Sequence, residues 1–217
     1  VSFILPKVYP ITDTRLSGLS HAEQVIRLIR GGATLIQLRD KEASAGEFYH
    51  QAAAALDVAR THGAKLVIND RVDVALVLKA DGVHLGQSDM PVEAVRSLLG
   101  QDAIIGLSTH DITQARLAAK MAPDYIAFGP IFDTLTKDDP DPVVGLTKLR
   151  DVRASTGSLP LVAIGGINSL NAASVLGAGA DAIAIIAELL AHSAAIEENM
   201  RKILALAEFA PLVSRTG

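Results

Sequence analysis

KLVIND, residues 65–70, is an apolar run that stops abruptly at two polar side chains, Asn69 and Asp70. An uninterrupted run of this kind is the pattern of a parallel strand covered on both faces, where no solvent side asks for alternating polar residues. Four further runs end the same way: Ile36 into Gln37, Arg39 and Lys41; Leu85 into Gln87 and Asp89; Leu107 into Ser108; Ile131 and Phe132 into Thr134, Thr136 and Lys137. Polar residues collected at the same end of successive parallel strands imply one shared site, whereas a random scatter implies only a solvated surface.

Outward from these runs, extended and helical patterns alternate without a linker. Strands are predicted near Val8 to Thr12, Thr34 to Leu38, Lys65 to Asn69, Gly82 to Leu85, Ile104 to Ser108, Tyr125 to Gly129, Pro160 to Ile164 and Ala182 to Ile186. Helices fall between them at about Ser20 to Arg30, Ser44 to Thr61, Val72 to Leu78, Pro91 to Leu99, Asp111 to Met121, Thr147 to Ser155 and Ser169 to Leu176, with a last one from Ala194 to Phe209. Right-handed strand–helix units either close into a barrel or open into a doubly wound sheet. An open dinucleotide-binding sheet calls for a Gly-rich turn after its first strand, and here Thr12 is followed by Asp13, Thr14, Arg15 and Leu16. The expected fold is therefore α/β, a single (β/α)8 TIM-type barrel in one domain spanning 1–217, with its active site at the C-terminal ends of the strands.

Composition agrees. The 217 residues suit one barrel of roughly 200 to 250. Hydrophobic residues make up 49% and aromatics only 4%, with no Trp, so the core is built from Ala, Val, Leu and Ile. Mean hydropathy is +0.32, yet no apolar run approaches the length of a membrane span. No basic segment leads into a cleavable apolar one, so the chain reads as soluble and cytoplasmic. The absence of Cys excludes disulfides, thiolate chemistry and Cys-ligated zinc. A net charge of −4 without a Lys/Arg block argues against a nucleic-acid surface, so any anion site is local. Small molecules are the expected partners, and the number of copies in an assembly is left open.

Start and stop signals support the parse. Ser20 with Glu23, and Ser44 with Glu47, fit capping boxes, and Gly31, Gly32, Gly63, Gly100 and Gly177 stand where helices should end. The polar loop from Thr134 to Gly145 is too short for a domain boundary and long enough for a mobile lid.

Each polar cluster has a bland alternative. Asn69, Asp70, Asp89 and Ser108 precede helices and fit N-caps, with Pro91 making Asp89 a good one; Arg39, Lys41 and Gln37 fit a solvated loop and strand end. Caps do not explain why Arg39, Lys41 and Lys137 converge on the mouth that holds two carboxylates. Asp70 and Asp89 end consecutive strands, close enough to reach one ion, and oxygen ligands without nearby His or Cys favour Mg2+ over zinc. If the ligand is a diphosphate of about −3, the two Asp bring the site to about −5 and the three cations return about +3, which one divalent ion would balance. Gly165 and Gly166, with Ile186 and Ala187 after the last strand, form the phosphate cradle usual in barrels, and a tight turn is the plain reading of the Gly pair.

Together QLRDK (37–41), IND (68–70), HLGQSD (84–89), GLSTH (106–110), GPIFDTLTK (129–137) and AIGGI (163–167) resemble the thiamine-phosphate synthase family, in order, from about Tyr9 to Ala187. The resemblance implies a (β/α)8 barrel that joins a hydroxymethylpyrimidine diphosphate to a thiazole phosphate and releases pyrophosphate. It assigns Gln37, Leu38, Arg39, Asp40, Lys41 and Asn69 to the pyrimidine diphosphate. It gives Mg2+ to Asp70 and Asp89, and contact with the pyrimidine substrate to Ser108 and Lys137. Thr134, Leu135, Thr136, Gly166, Ile186 and Ala187 fall to the thiazole phosphate, and Ser108, Lys137 and Arg39 carry the catalytic roles. No activated protein nucleophile is evident, so the thiazole nitrogen attacks, and the cations with Mg2+ stabilise the departing pyrophosphate. The chain departs from the family pattern at Asp133, where relatives often have Pro, and at Ala184 and Ala187, where serines are frequent. Two rivals remain: a thiazole tautomerase working through His110, which needs no metal pair, and a silent phosphate-binding barrel acting as a regulatory module.

Overall fold

The computed structural model describes residues 4–134 and 141–209. Its elements run β1 (Val8–Pro10), α1 (Thr14–Ser17), α2 (His21–Arg30), β2 (Leu35–Leu38), α3 (Ala45–Thr61), β3 (Lys65–Asn69), α4 (Val72–Leu78), β4 (Gly82–Leu85) and α5 (Val92–Leu99). They continue with β5 (Ile104–Thr109), α6 (Ile112–Met121), β6 (Tyr125–Phe128), α7 (Gly145–Thr156), β7 (Leu161–Ile164), α8 (Ala172–Gly177), β8 (Ala182–Ile185), α9 (Ala187–Leu190) and α10 (Ile196–Glu208). The eight strands form one sheet in which every pairing is parallel, from β2 through β8 to β1. A parallel bridge between Ile11 and Gln37, with the Thr12 N–H donating to the Gln37 carbonyl at 2.9 Å, joins β1 to β2 and completes the ring. The expected barrel is thus the observed one.

Side-chain alternation divides the core into two layers. Tyr9, Leu35, Val67, Ile104, Tyr125, Ala127, Val162 and Ala184 fill the inside of the ring. Their neighbours in sequence, such as Ile36, Leu38, Ile68 and Val83, face outward and pack under the helices with Phe48, Leu56 and Met200. A shared device pins β4, β6 and β8 at the rim opposite the polar clusters. Asp81, Asp124 and Asp181 each stand just before β4, β6 and β8, and each carboxylate accepts the amide of the preceding strand, from Leu66, Ile105 and Leu161 at 2.8–2.9 Å. Arg96 on α5 and Arg153 on α7 donate to the Asp124 and Asp181 carboxylates at 2.6 and 2.8 Å, tying a helix to the same point.

Both capping boxes form as read, with the Ser20 and Ser44 hydroxyls accepting the amides of Glu23 and Glu47. Gly31 and Gly177 stand at helix ends as read, but neither makes the left-handed turn. Gly31 keeps a right-handed backbone and Gly177 lies within α8; the left-handed turns fall at Gly32 (φ 104°) and Gly179 (φ 107°). The short helices α1 and α9 have no counterpart in the sequence reading, because four residues carry too little apolar periodicity to register.

Candidate active site

At the C-terminal ends of the strands lies a cavity of about 560 Å³, within the size range of small-molecule sites. Gln37, Arg39, Lys41, Asn69, Asp70, Asp89, Ser108, Thr134, Gly166, Ile186 and Ala187 all line it. Its depth comes from short inward side chains, Ala127 on β6 and Ala184 on β8, beside the apolar walls of Ile11, Val162 and Ile164.

The helix-cap alternative fails at all four positions. The residue before α4 is Arg71 and that before α5 is Pro91, neither with a side-chain cap, and α6 is capped by Asp111. The Asp89 carboxylate instead accepts the Gly86 amide at 2.6 Å and folds the β4–α5 turn. Asp70 extends the sheet by donating its N–H to the His84 carbonyl, then turns left-handed (φ 59°), a conformation Asp tolerates better than most side chains. That turn aims its carboxylate at Lys41, whose ammonium donates to Asp70 Oδ2 at 2.7 Å. Arg39 has a looser anchor, 4.0 Å from Asp13 Oδ2, and its guanidinium is mostly buried against the cavity wall. The site therefore holds one cation pinned by a carboxylate and one held at longer range.

Two assigned residues do not present side chains to the cavity. Leu38 points outward into the helix-covered layer. Asp40 folds its own loop, accepting from the Glu42 and Ala43 amides and the Thr14 hydroxyl. Burial alone would raise the Asp40 carboxyl, but the Ala43 and Glu42 amides outweigh it and hold it below the ordinary carboxylate range. Leu135, Thr136 and Lys137 lie outside the described residues, as does half of the loop read as a lid.

Beneath the charged rim the structure assembles residues that the reading of strand ends overlooked. Parallel register sets Asn69, His84, Gly106 and Tyr125 side by side across β3 to β6. Gly106 carries no side chain there because a Cβ would run into the Tyr125 ring and His84. Across that gap the rings of His84 and Tyr125 stack at 5.6 Å, and His84 Nδ1 lies 3.0 Å from the Tyr125 hydroxyl. The chain of contacts continues both ways: His84 Nε2 to Ser108 Oγ at 2.8 Å, the Tyr125 to the Tyr9 hydroxyl at 2.9 Å, and Gln37 Nε2 to the Tyr9 hydroxyl at 3.2 Å. Burial pushes the His84 imidazole down to about 4 against the opposing pull of Asp89, and burial raises both tyrosine hydroxyls. The signal for these residues was present as inward polar positions inside strands.

Across the cavity, Gly165 and Gly166 take left-handed backbones (φ 98° and 63°) against Pro130 and Phe132. The same two glycines thus make the tight turn and line the cavity beside Ile186 and Ala187, where α9 begins and leaves its first amides without intrahelical partners. His110 also lines the cavity, its Nδ1 2.9 Å from the Gly129 carbonyl and 3.5 Å from the Asp141 carboxylate.

Residues 8–189 match the family model described as thiamine monophosphate synthase. The chain belongs to that family. It is 46% identical over 185 residues to a thiamine-phosphate synthase of Clostridium novyi, covering 85% of this chain and 90% of the relative. A second such relative, from Chloroflexus aurantiacus, is 46% identical over 186 residues, 85% of each chain. Among solved structures, a thiamine phosphate pyrophosphorylase from Pyrococcus furiosus superposes with a TM-score of 0.82 at 37% identity, covering 93% of this chain and 95% of that one.

The donor set can be tested against the metal that the family resemblance implies. Asp70 and Asp89 each use one carboxylate oxygen within the protein, through Oδ2, and keep Oδ1. Among the described residues no group of three or more His, Cys, Asp or Glu is placed to hold an ion. Two carboxylates facing a cavity without a protein cage fit Mg2+, which keeps water and shares substrate phosphate oxygens, and do not fit structural zinc.

Proposed function

We propose that this chain condenses a hydroxymethylpyrimidine diphosphate with a thiazole phosphate to give thiamine phosphate and pyrophosphate, as a Mg2+-dependent transferase. The carrying observation is the division of one cavity into a charged end, Arg39, Lys41, Asp70 and Asp89, and a backbone-amide end at Gly166, Ile186 and Ala187. A diphosphate suits the first and a monophosphate the second. Membership of the thiamine monophosphate synthase family supports the same pairing of substrates.

In the proposed reaction the thiazole nitrogen forms a bond to the pyrimidine methylene carbon as the bond from that carbon to the diphosphate oxygen breaks. The protein contributes no nucleophile. Arg39 and Lys41 meet the negative charge that grows on the departing pyrophosphate, and Lys41 must then share its ammonium between Asp70 and the ligand. Asp70 and Asp89 would hold Mg2+ beside the diphosphate, where it would supply charge neutralisation for the leaving pyrophosphate. Gln37, with its amide at the cavity floor, and Ser108 hold the aminopyrimidine, whose electron-rich ring supports positive charge at the methylene. Lys137, from outside the described residues, joins the cation set, and the apolar wall of Ile11, Val162 and Ile164 keeps water from that carbon.

The test is thiamine phosphate formation by purified protein supplied with both substrates. Activity should require Mg2+, and Asp70→Ala should lower kcat/KM by roughly a hundredfold or more, the weight of several kcal/mol of charge stabilisation. Full activity in that variant would overturn the metal assignment.

A further inference from the structure

Ser108 is held by a buried histidine that lines the floor of the cavity. His84 is 6% exposed, and its two ring nitrogens face two hydroxyls, Tyr125 at Nδ1 and Ser108 at Nε2. A neutral imidazole carries one proton, so one of these contacts is donated by the ring and the other received.

Proton counting along the row decides which. The Gln37 amide nitrogen can only donate, so the Tyr9 oxygen accepts from it at 3.2 Å; the buried Tyr9 proton, with no other acceptor facing it among the described residues, goes to the Tyr125 oxygen at 2.9 Å. The same direction carried along the row has Tyr125 donating to His84 Nδ1 and His84 donating from Nε2 to Ser108. The opposite order would turn the Ser108 proton toward His84 and leave only lone pairs facing a ligand that is itself rich in acceptors. Both ring nitrogens face neutral hydroxyls and neither faces a carboxylate, so the row does not call for a ring that donates at both ends.

We propose that His84 is a positioning residue for Ser108: its Nε2–H fixes the serine oxygen as an acceptor and turns the hydroxyl proton into the cavity, toward an acceptor on the bound pyrimidine diphosphate. This rests on the substrate reading given above. The row makes Gln37 and Ser108, on opposite sides of the floor, one unit that orders both before a ligand binds.

The experiment has two arms. In the ligand-free parent protein, 15N NMR of the histidine side chains at neutral pH should find His84 neutral with its proton on Nε2. Kinetics then compare two amides: His84→Gln places its amide near Nε2, and His84→Asn reaches only the Nδ1 position. His84→Gln should keep kcat within about threefold, whereas His84→Asn should lose roughly tenfold to a hundredfold in kcat with KM for the pyrimidine diphosphate little changed, the size of one hydrogen bond to a charged group. A proton on Nδ1, or equal kcat in the two variants, overturns the proposal. An inactive parent with the Nε2 proton in place would overturn the synthase reading instead, and leave the positioning of Ser108 supported.

Discussion

Gly106 shows how much of the site depends on an atom that is missing. Its place in the register row between His84 and Tyr125 leaves the space in which those two rings stack. Gly106→Ala should therefore separate the rings, lower stability by about 2 kcal/mol through overpacking, and reduce activity as well; denaturant unfolding and steady-state kinetics check both. Polar side chains at strand ends were legible because each cuts short a buried apolar run at the same end of the sheet, and Gln37, Arg39, Lys41, Asn69, Asp70, Asp89 and Ser108 all reached the cavity. Leu38 and Asp40 illustrate the opposite: adjacency in a motif says nothing about which face a side chain takes. His84 and Tyr125 lay inside strands whose apolar neighbours masked them, and only the period-two alternation, combined with a register the sequence does not state, brings them together.

At the scale of elements, the order of the strands and of the longer helices was legible from their periodicity, and α2 and α3 also announce their starts through the Ser20 and Ser44 capping boxes. The Asp81, Asp124 and Asp181 clamps were not read, although each is visible as an Asp one residue before an even strand. Their role needs the neighbouring strand's amide, a partner 15 to 20 residues away. Asp124→Ala strands the Ile105 amide and removes the carboxylate partner of Arg96, at the rim opposite the cavity. It should cost about 2 kcal/mol in urea unfolding, with kcat and KM for both substrates unchanged in the folded protein.

The whole molecule ties its stability to pH through the same row that orders the site. His84 sits at about 4 when folded against an ordinary 6.5, so between those values the unfolded chain binds a proton that the folded one refuses. Stability is then lost as pH falls from about 6.5 toward 4, by about 2 kcal/mol between pH 7 and 5, and is unaffected above pH 7. His21, also buried and lowered, acts in the same direction. Unfolding of the parent and of His84→Gln at the two pH values should show a smaller loss in the variant. Ring closure places the cations of β2, the carboxylates after β3 and β4 and the amides after β7 and β8 around one mouth, and the account's central claim is that these act on two substrates at once. Pyrophosphate and thiamine phosphate followed together, in the presence of Mg2+, test it most directly. The account predicts that the two products appear in equal amounts only when pyrimidine diphosphate and thiazole phosphate are both supplied. Absence of product from the pair, or pyrophosphate released at the same rate from the pyrimidine diphosphate alone, would contradict it.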